Sequence, residues 1–276
     1  MKMKGIKMSE KIGFIGCGNM GKALSSAVSK VIDGKQILLS NRSPEKAEFV
    51  SKNTGGIVCS NEDIAKNANY IFLCVKPQQM EGLLYSLRDF LKERTDRFVL
   101  ITVAAGIKTA RICEMADLSC PVIRIMPNTP VSIGKGMIQY TVNPSVTAEE
   151  KEFFQKIMQY SGLIDEIPEN LIDASSAISG CGPAFADMFM AALADGGVEI
   201  GLPRDKAIKY AAQMLLGSAQ LLLETGEHPE KLKDDVCSPG GSTIVGVHAL
   251  EAGAFRSTVI NAVVGSFNKN KDLGKN

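Results

Sequence analysis

Apolar residues gather in short runs over the first half of the chain. The stretches KIGFI (11–15), QILLS (36–40), GIVCS (56–60), YIFLCV (70–75), FVLITV (98–103) and PVIRIM (121–126) each predict a strand. Between them the apolar positions take helical spacing. Two helix starts are marked by their caps: Ser43 followed by Pro44, and Asn61 followed by Glu62 and Asp63. Strands alternating with helices predict a parallel sheet covered by helices, an α/β fold.

After LIDEIPEN the pattern changes. LIDASSAIS, PAFADMFMAALADGGVEIG, PRDKAIKYAAQMLLGSAQLLLETG, STIVGVHALEAG and FRSTVINAVVGSF all predict helices. A boundary near Pro168 therefore divides an α/β domain (1–168) from an all-helical one (169–276). The helix opening at Pro203 carries Ala207, Ile208, Ala211, Ala212, Leu215, Leu216, Ala219, Leu222 and Leu223, an apolar stripe along nearly its whole length. A domain of about 100 residues has little interior for such stripes, so pairing with a second subunit is expected. A compact monomeric bundle is the alternative.

Composition narrows the partners. Lysine plus arginine number 31 against 30 acidic residues, leaving no overall field to draw nucleic acid or an anionic membrane. Small molecules or copies of the chain are expected instead. The seven cysteines (17, 59, 74, 113, 120, 181 and 237) are scattered without a CxxC pair, and neither histidine completes a metal site. No metal and a reduced, cytoplasmic setting are expected. MKMKGIKMSE has charge but no apolar segment before Lys11, so it reads as a disordered extension over 1–10 and not as a secretory signal. PAFADMFMAALADGG is interrupted by Asp187 and Asp195, and no membrane span is expected.

The first strand runs into Gly16, Gly18 and Gly21 and then a helix. In that context GxGxxG is a dinucleotide signature: a tight turn, a close approach of pyrophosphate to backbone, and close helix–strand packing. The second strand ends in LLSNRS, where the signature would place a carboxylate on the ribose. Asn41 and Arg42 stand there, which suits a 2′-phosphate and favours NADPH, with NADH a weaker substitute. A solvated arginine is the plain alternative.

Candidate chemistry is sparse. Of the two histidines, His228 sits beside Pro229 in a connection, and both it and His248 read as structural or solvated. In DDVCSPGGSTIVGVHALEAG, Pro239, Gly240 and Gly241 open a helix near Thr243 and leave backbone N–H groups for an anion such as a substrate carboxylate. A simple helix start is the alternative.

Together GFIGCGNMGKA, NRS, CVKPQ, VAAGI, RIMPNTP, ISGCGPAF and DDVCSPGGSTIVGVHALE resemble pyrroline-5-carboxylate reductase, from Met8 to about Phe267. The resemblance implies a Rossmann-like domain followed by a helical dimerisation domain. It also implies NAD(P)H-dependent reduction of the cyclic imine 1-pyrroline-5-carboxylate to L-proline, the last step of proline biosynthesis. It places cofactor contacts at Ile15, Gly16, Cys17, Gly18, Asn19, Met20, Asn41, Arg42, Asn61, Cys74, Val75, Lys76, Pro77, Val103, Ala104 and Ala105. Substrate contacts fall on Ser238, Gly241, Ser242 and Thr243, with the Thr243 hydroxyl facing the ring nitrogen as the catalytic group. Dimers through the helical C-terminal domains, often joined further into decamers, are the implied assembly. Asp235 and Cys237 depart from the commonest pattern, where asparagine and serine or threonine stand.

Such chemistry does not need histidine, because an iminium carbon is already electrophilic and needs placement more than acid. An NADPH-dependent β-hydroxy-acid dehydrogenase is the rival enzyme, weakened because no lysine follows SGCGP before Ile200. A non-catalytic NADPH sensor is the rival from another class, and the intact SPGGST segment weighs against it.

Overall fold

The structure, a computed structural model, describes residues 10–273. The extension expected over 1–10 lies, but for its last residue, outside that span. The described chain divides into two compact units. One comprises residues 10–180 with 267–273, the other 181–266.

The first unit is built in the order β1 (Ile12–Ile15), α1 (Asn19–Val28), β2 (Ile37–Ser40), α2 (Pro44–Thr54), β3 (Ile57–Val58), α3 (Asn61–Asn67), β4 (Tyr70–Leu73), α4 (Pro77–Lys92), β5 (Val99–Thr102), α5 (Thr109–Ala116) and β6 (Val122–Met126). It continues with β7 (Gly136–Val142), α6 (Ala148–Ile157), β8 (Gly162–Glu166) and α7 (Ile172–Ser179). The eight strands form one sheet in the order β3-β2-β1-β4-β5-β6-β7-β8.

The six predicted strands are all present and pair in parallel; all but the short edge strand β3, whose Ile57 and Val58 are exposed, are buried along their length. Two strands depart from the expectation. β7 runs antiparallel to β6, and β8 pairs parallel with β7. β7 hid in the sequence because GMIQYTV carries Gln139 and Thr141 into the interior. Gln139 is satisfied there by the Ser179 hydroxyl, which donates to its Oε1 at 2.8 Å.

Two cores flank the sheet. Phe14, Leu39, Phe72, Ile101 and Ile123 face α1, α2 and α6, with Phe14 and Phe72 stacked at 4.5 Å. Ile15, Ile71, Leu73 and Leu100 face α3, α4 and α5. Because β2 and β4 flank β1 on opposite sides, the order of the strands reverses at β1, and a crevice opens beside its carboxyl end.

The second unit holds α8 (Gly182–Glu199), α9 (Arg204–Thr225), α10 (Pro229–Asp235), α11 (Ser242–Ala252) and most of α12 (Phe255–Leu273). The short α10 lies where the sequence reads as a connection, and His228 is its N-cap, its Nδ1 accepting from the Glu230 N–H at 3.3 Å. The unit's interior is thin. Its fully buried apolar residues are Ala194, Ala207 and Ala211, while Met188, Ile200, Leu216, Leu223, Val245 and Ile260 are exposed. Among the described residues one helical stretch, Glu169–Glu199, is long and apolar enough to cross a membrane by length and composition, with a mean hydropathy of 1.4.

Candidate dinucleotide cleft and anion-binding helix start

The crevice at the end of β1 is a cleft of about 620 Å³. Its floor is the glycine turn. Gly16 has φ +106°, a conformation open to glycine, and a Cβ there would lie 2.5 Å from the Cys74 carbonyl oxygen. Its N–H donates to the Ser40 carbonyl at 2.8 Å, fastening the turn to β2. A Cβ at Gly21 would lie 1.9 Å from the Gly16 carbonyl oxygen, so α1 can approach β1 only with glycine there. Gly18, the N-cap of α1, is different: a Cβ would meet nothing within 4 Å. The space above it is open, as a pyrophosphate at the N-terminus of α1 requires.

The second wall is the turn after β2. Asn41 braces it, its Oδ1 accepting from the Cys17 N–H at 2.9 Å and its Nδ2 donating to the Ser43 carbonyl at 3.0 Å. Asn41, Arg42, Ser43 and Lys46 line the cleft beside Ser40. The far wall is Asn61, Cys74, Val75, Lys76, Gln79 and Leu83.

Of the predicted cofactor contacts, Ile15, Gly16, Gly18, Asn41, Arg42, Asn61, Cys74, Val75 and Lys76 come together on this cleft. Cys17 and Asn19 line an adjoining groove with Lys22 and Phe49, and Met20 lines a third with Thr129 and Ser132. Pro77, Val103, Ala104 and Ala105 are not among the lining residues of these three cavities; Ala104 is buried and its N–H donates to Thr102 Oγ1 at 3.2 Å.

The sequence reading missed Lys46, Gln79 and Leu83. Lys46 had a signal, a cation three residues into the helix that Ser43 opens. Gln79 and Leu83 follow Lys76 by one and two helical turns and carry none.

The electrostatics of the cleft are one-sided. Arg42, Lys46 and Lys76 line it, and no carboxylate does. The two thiols beside the glycine turn are held as neutral groups: burial pushes Cys17 up to about 11 and raises Cys74 further. Neither is a nucleophile at neutral pH. A polyphosphate with an apolar ring system fits such a site, with cations for its charge and Ile15, Val75 and Leu83 for its rings.

In the helical unit the predicted substrate residues cluster at the start of α11. Gly240 has φ +69°, and Gly241, the N-cap, donates its N–H to the Ser238 carbonyl at 2.9 Å. No side chain caps α11, so the N–H groups of its first turn keep their hydrogen-bonding capacity. Thr243 is the second residue of the helix and is exposed, so its hydroxyl is not the cap. Just before this segment, Glu230 at the start of α10 accepts from Arg256 Nη1 at 2.7 Å and from Lys233 Nζ at 2.8 Å. Arg256 Nε also donates to Glu251 at 2.5 Å, so one guanidinium joins α10, α11 and α12 around the loop.

Comparison with known proteins places these features. Residues 169–273 match the family profile described as pyrroline-5-carboxylate reductase dimerisation, and residues 11–106 match one described as NADP oxidoreductase, coenzyme F420-dependent. The pyrroline-5-carboxylate reductase of Escherichia coli K12 is 39% identical over 97% of this chain and 100% of its own length. That of Pisum sativum is 36% identical over 96% of each chain. The crystal structure of Plasmodium falciparum pyrroline carboxylate reductase with NADP bound is similar at a TM-score of 0.87 and 32% identity, covering 97% of this chain and 99% of that one.

Proposed function

This chain belongs to the pyrroline-5-carboxylate reductase family, and from that premise we propose that it reduces 1-pyrroline-5-carboxylate to L-proline with NADPH, the closing step of proline biosynthesis. The observation that carries the cofactor assignment is the cleft around Gly18, lined by three cations and no carboxylate. A carboxylate at the end of β2 would hold an unmodified ribose and repel a phosphorylated one. With Arg42 there instead, NADPH is preferred and NADH is the weaker substitute.

When bound, the reduced dinucleotide supplies the hydride. The chain's own task is placement. In this reading residues 1–168 hold the cofactor, while residues 169–276 hold the substrate and the partner subunit. Ser238, Gly241, Ser242 and Thr243 bind the substrate carboxylate, which suits the uncapped start of α11. The Thr243 hydroxyl meets the ring nitrogen and follows it as it passes from iminium to amine, so no histidine is required.

The chain works as a homo-oligomer, a dimer through the helical unit, with further association into decamers as the larger assembly. The exposed apolar faces of α9 and α12 support pairing. The compartment is the cytoplasm, a setting consistent with seven free cysteines among the described residues.

Absorbance at the nicotinamide band, followed with and without 1-pyrroline-5-carboxylate, tests the activity. Oxidation of NADPH only with the imine present, with L-proline formed in equal amount, is the expected result. Oxidation without proline would overturn the proposal.

A further inference from the structure

The loop that follows β5 is fastened from a distance. It runs from Val103 to Lys108 at the carboxyl end of the strand, turns at Gly106, whose φ is +76°, and enters α5 at Thr109. Its near end is held locally, since the Ala104 N–H donates to the Thr102 hydroxyl. Its far end has no local cap, because the residue before α5 is Lys108, whose ammonium can accept nothing. Glu169, 60 residues further along the chain, takes the place of that cap. Its Oε1 accepts from the Thr109 N–H at 2.7 Å and its Oε2 from the Thr109 hydroxyl at 3.3 Å.

Glu169 is itself held in place. It opens the short 3₁₀ turn Glu169–Leu171 that leads into α7, and its Oε1 lies 3.9 Å from Arg124 Nη1. Asp173, on α7, pairs with Nη2 of the same buried guanidinium. The far end of α7 is fixed as well: the Ser179 carbonyl accepts from Asn128 Nδ2 at 3.0 Å, and the Ser179 hydroxyl donates to Gln139 of β7. A helix tied down at both ends is a rigid mount, and Glu169 carries that rigidity to the loop.

The topology says what the loop faces. A dinucleotide bound to a doubly wound sheet spans the switch point, its adenosine half at the end of β2 and its nicotinamide half over the strands on the other side of β1. Those strands are β4 and β5, and β5 ends in this loop. Val103, Ala104 and Ala105 have no polar side chain, so what they offer a nicotinamide is backbone and shape. Both act only while the loop stays where it is.

We infer that Glu169 is a positioning residue for hydride transfer: by fixing Thr109 it fixes the Val103–Ala105 backbone against the nicotinamide half of the cofactor. The inference rests on the dinucleotide reading of the cleft. It gives a role to a residue that lies outside both the glycine signature and the SPGGST segment.

Calorimetric titration of the full-length protein with NADPH and with 2′,5′-ADP, which carries the adenosine half alone, tests it alongside steady-state kinetics on the imine. Glu169→Ala is expected to weaken NADPH about tenfold and to lower kcat, while 2′,5′-ADP binds as it does to the parent. Glu169→Gln keeps an oxygen for the Thr109 N–H and should recover most of both losses. Thr109→Pro deletes that N–H yet suits the first position of a helix, so it should reproduce the Glu169→Ala pattern, and it decides the matter if Glu169→Ala does not fold. Parental NADPH affinity and kcat in these two variants would overturn the inference. So would an equal loss of both ligands, the mark of a cleft damaged as a whole. A parent protein that binds neither ligand overturns the cleft reading itself, and the inference with it.

Discussion

Arg124, on β6, donates from Nη2 to Asp173 Oδ1 of α7 at 2.6 Å, with its side chain wholly enclosed. Glu169 lies 3.9 Å from Nη1, and the Asp173 carbonyl accepts from Asn270 Nδ2 near the end of α12 at 3.4 Å. The sheet, α7 and the returning C-terminal helix therefore meet on one ion pair. Nε and Nη1 have no hydrogen-bond partner, so the guanidinium is only partly repaid for leaving water. Arg124→Ala removes the charge that holds both carboxylates, and we expect it to lower stability by about 3 kcal/mol. Arg124→Met, which keeps the bulk, should lose about half as much. Urea midpoints of the three proteins decide, and a parental midpoint in Arg124→Ala would refute the account.

Gly18 and Gly21 make a matched pair of tests. Gly21→Ala drives a methyl into the Gly16 carbonyl and should cost at least ~3 kcal/mol of stability. Gly18→Ala meets open space, so it should melt like the parent. That methyl occupies the approach of the pyrophosphate, however, and NADPH affinity should fall at least about tenfold. Melting and NADPH fluorescence titration on both variants check the contrast, and tight NADPH binding by Gly18→Ala would contradict the placement of the phosphates.

Thr243→Val keeps the β-branched shape and removes the hydroxyl. Because Gly241 and not Thr243 caps α11, stability should change little. Turnover should fall by roughly 2 to 4 kcal/mol of transition-state stabilisation, with NADPH affinity retained. If the variant reduces the imine at the parental rate, Thr243 is not the group at the ring nitrogen.

The mass in solution should be at least twice the chain mass of 29.6 kDa. Leu216 and Leu223 lie seven residues apart on one face of α9, both exposed, the latter at 78%. Leu216→Glu combined with Leu223→Glu should shift the equilibrium toward single chains, at roughly 1.5 to 3 kcal/mol per leucine. Light scattering over a dilution series measures it. A parent at 29.6 kDa at micromolar concentration would overturn the assembly.

Glu230 gives a pH signature. The hydrogen bond from Arg256, then that from Lys233, pulls its carboxyl down to about 2. A carboxyl depressed on folding stabilises fully above its unfolded pKa, near 4.3, and loses that contribution as pH falls through its folded value. The melting-temperature difference between parent and Glu230→Gln should therefore be constant above about pH 5 and vanish toward pH 2. A difference independent of pH would mean that the Glu230–Arg256 link carries no charge-dependent stability.

Most of the α/β unit was legible because burial on both faces leaves unbroken apolar runs, as in YIFL of β4 and VLIT of β5. β7 was not, since Gln139, which accepts from the Ser179 hydroxyl, and Thr141 are both buried, and hydropathy does not register polar residues in an interior. α10 was not, because a histidine and a proline read as a connection, although a proline suits the first helical turn. In the cleft, the glycines were legible from spacing alone. Lys46, a cation three residues into the helix that Ser43 opens, carried a signal that is easily passed over, because a lysine in a first helical turn reads as a solvated side chain until the company of Arg42 and Ser43 is seen.

The three alanines that make up the buried apolar interior of the helical unit have a further consequence. Alanine brings no more than a methyl to a core, so hydrophobic burial inside one copy cannot offset the cost of ordering five helices. Burial of the exposed apolar faces of α9 and α12 against a second copy would supply the remainder and make folding of this unit a second-order reaction. Its melting temperature should climb with the logarithm of protein concentration, and dilution alone should denature it.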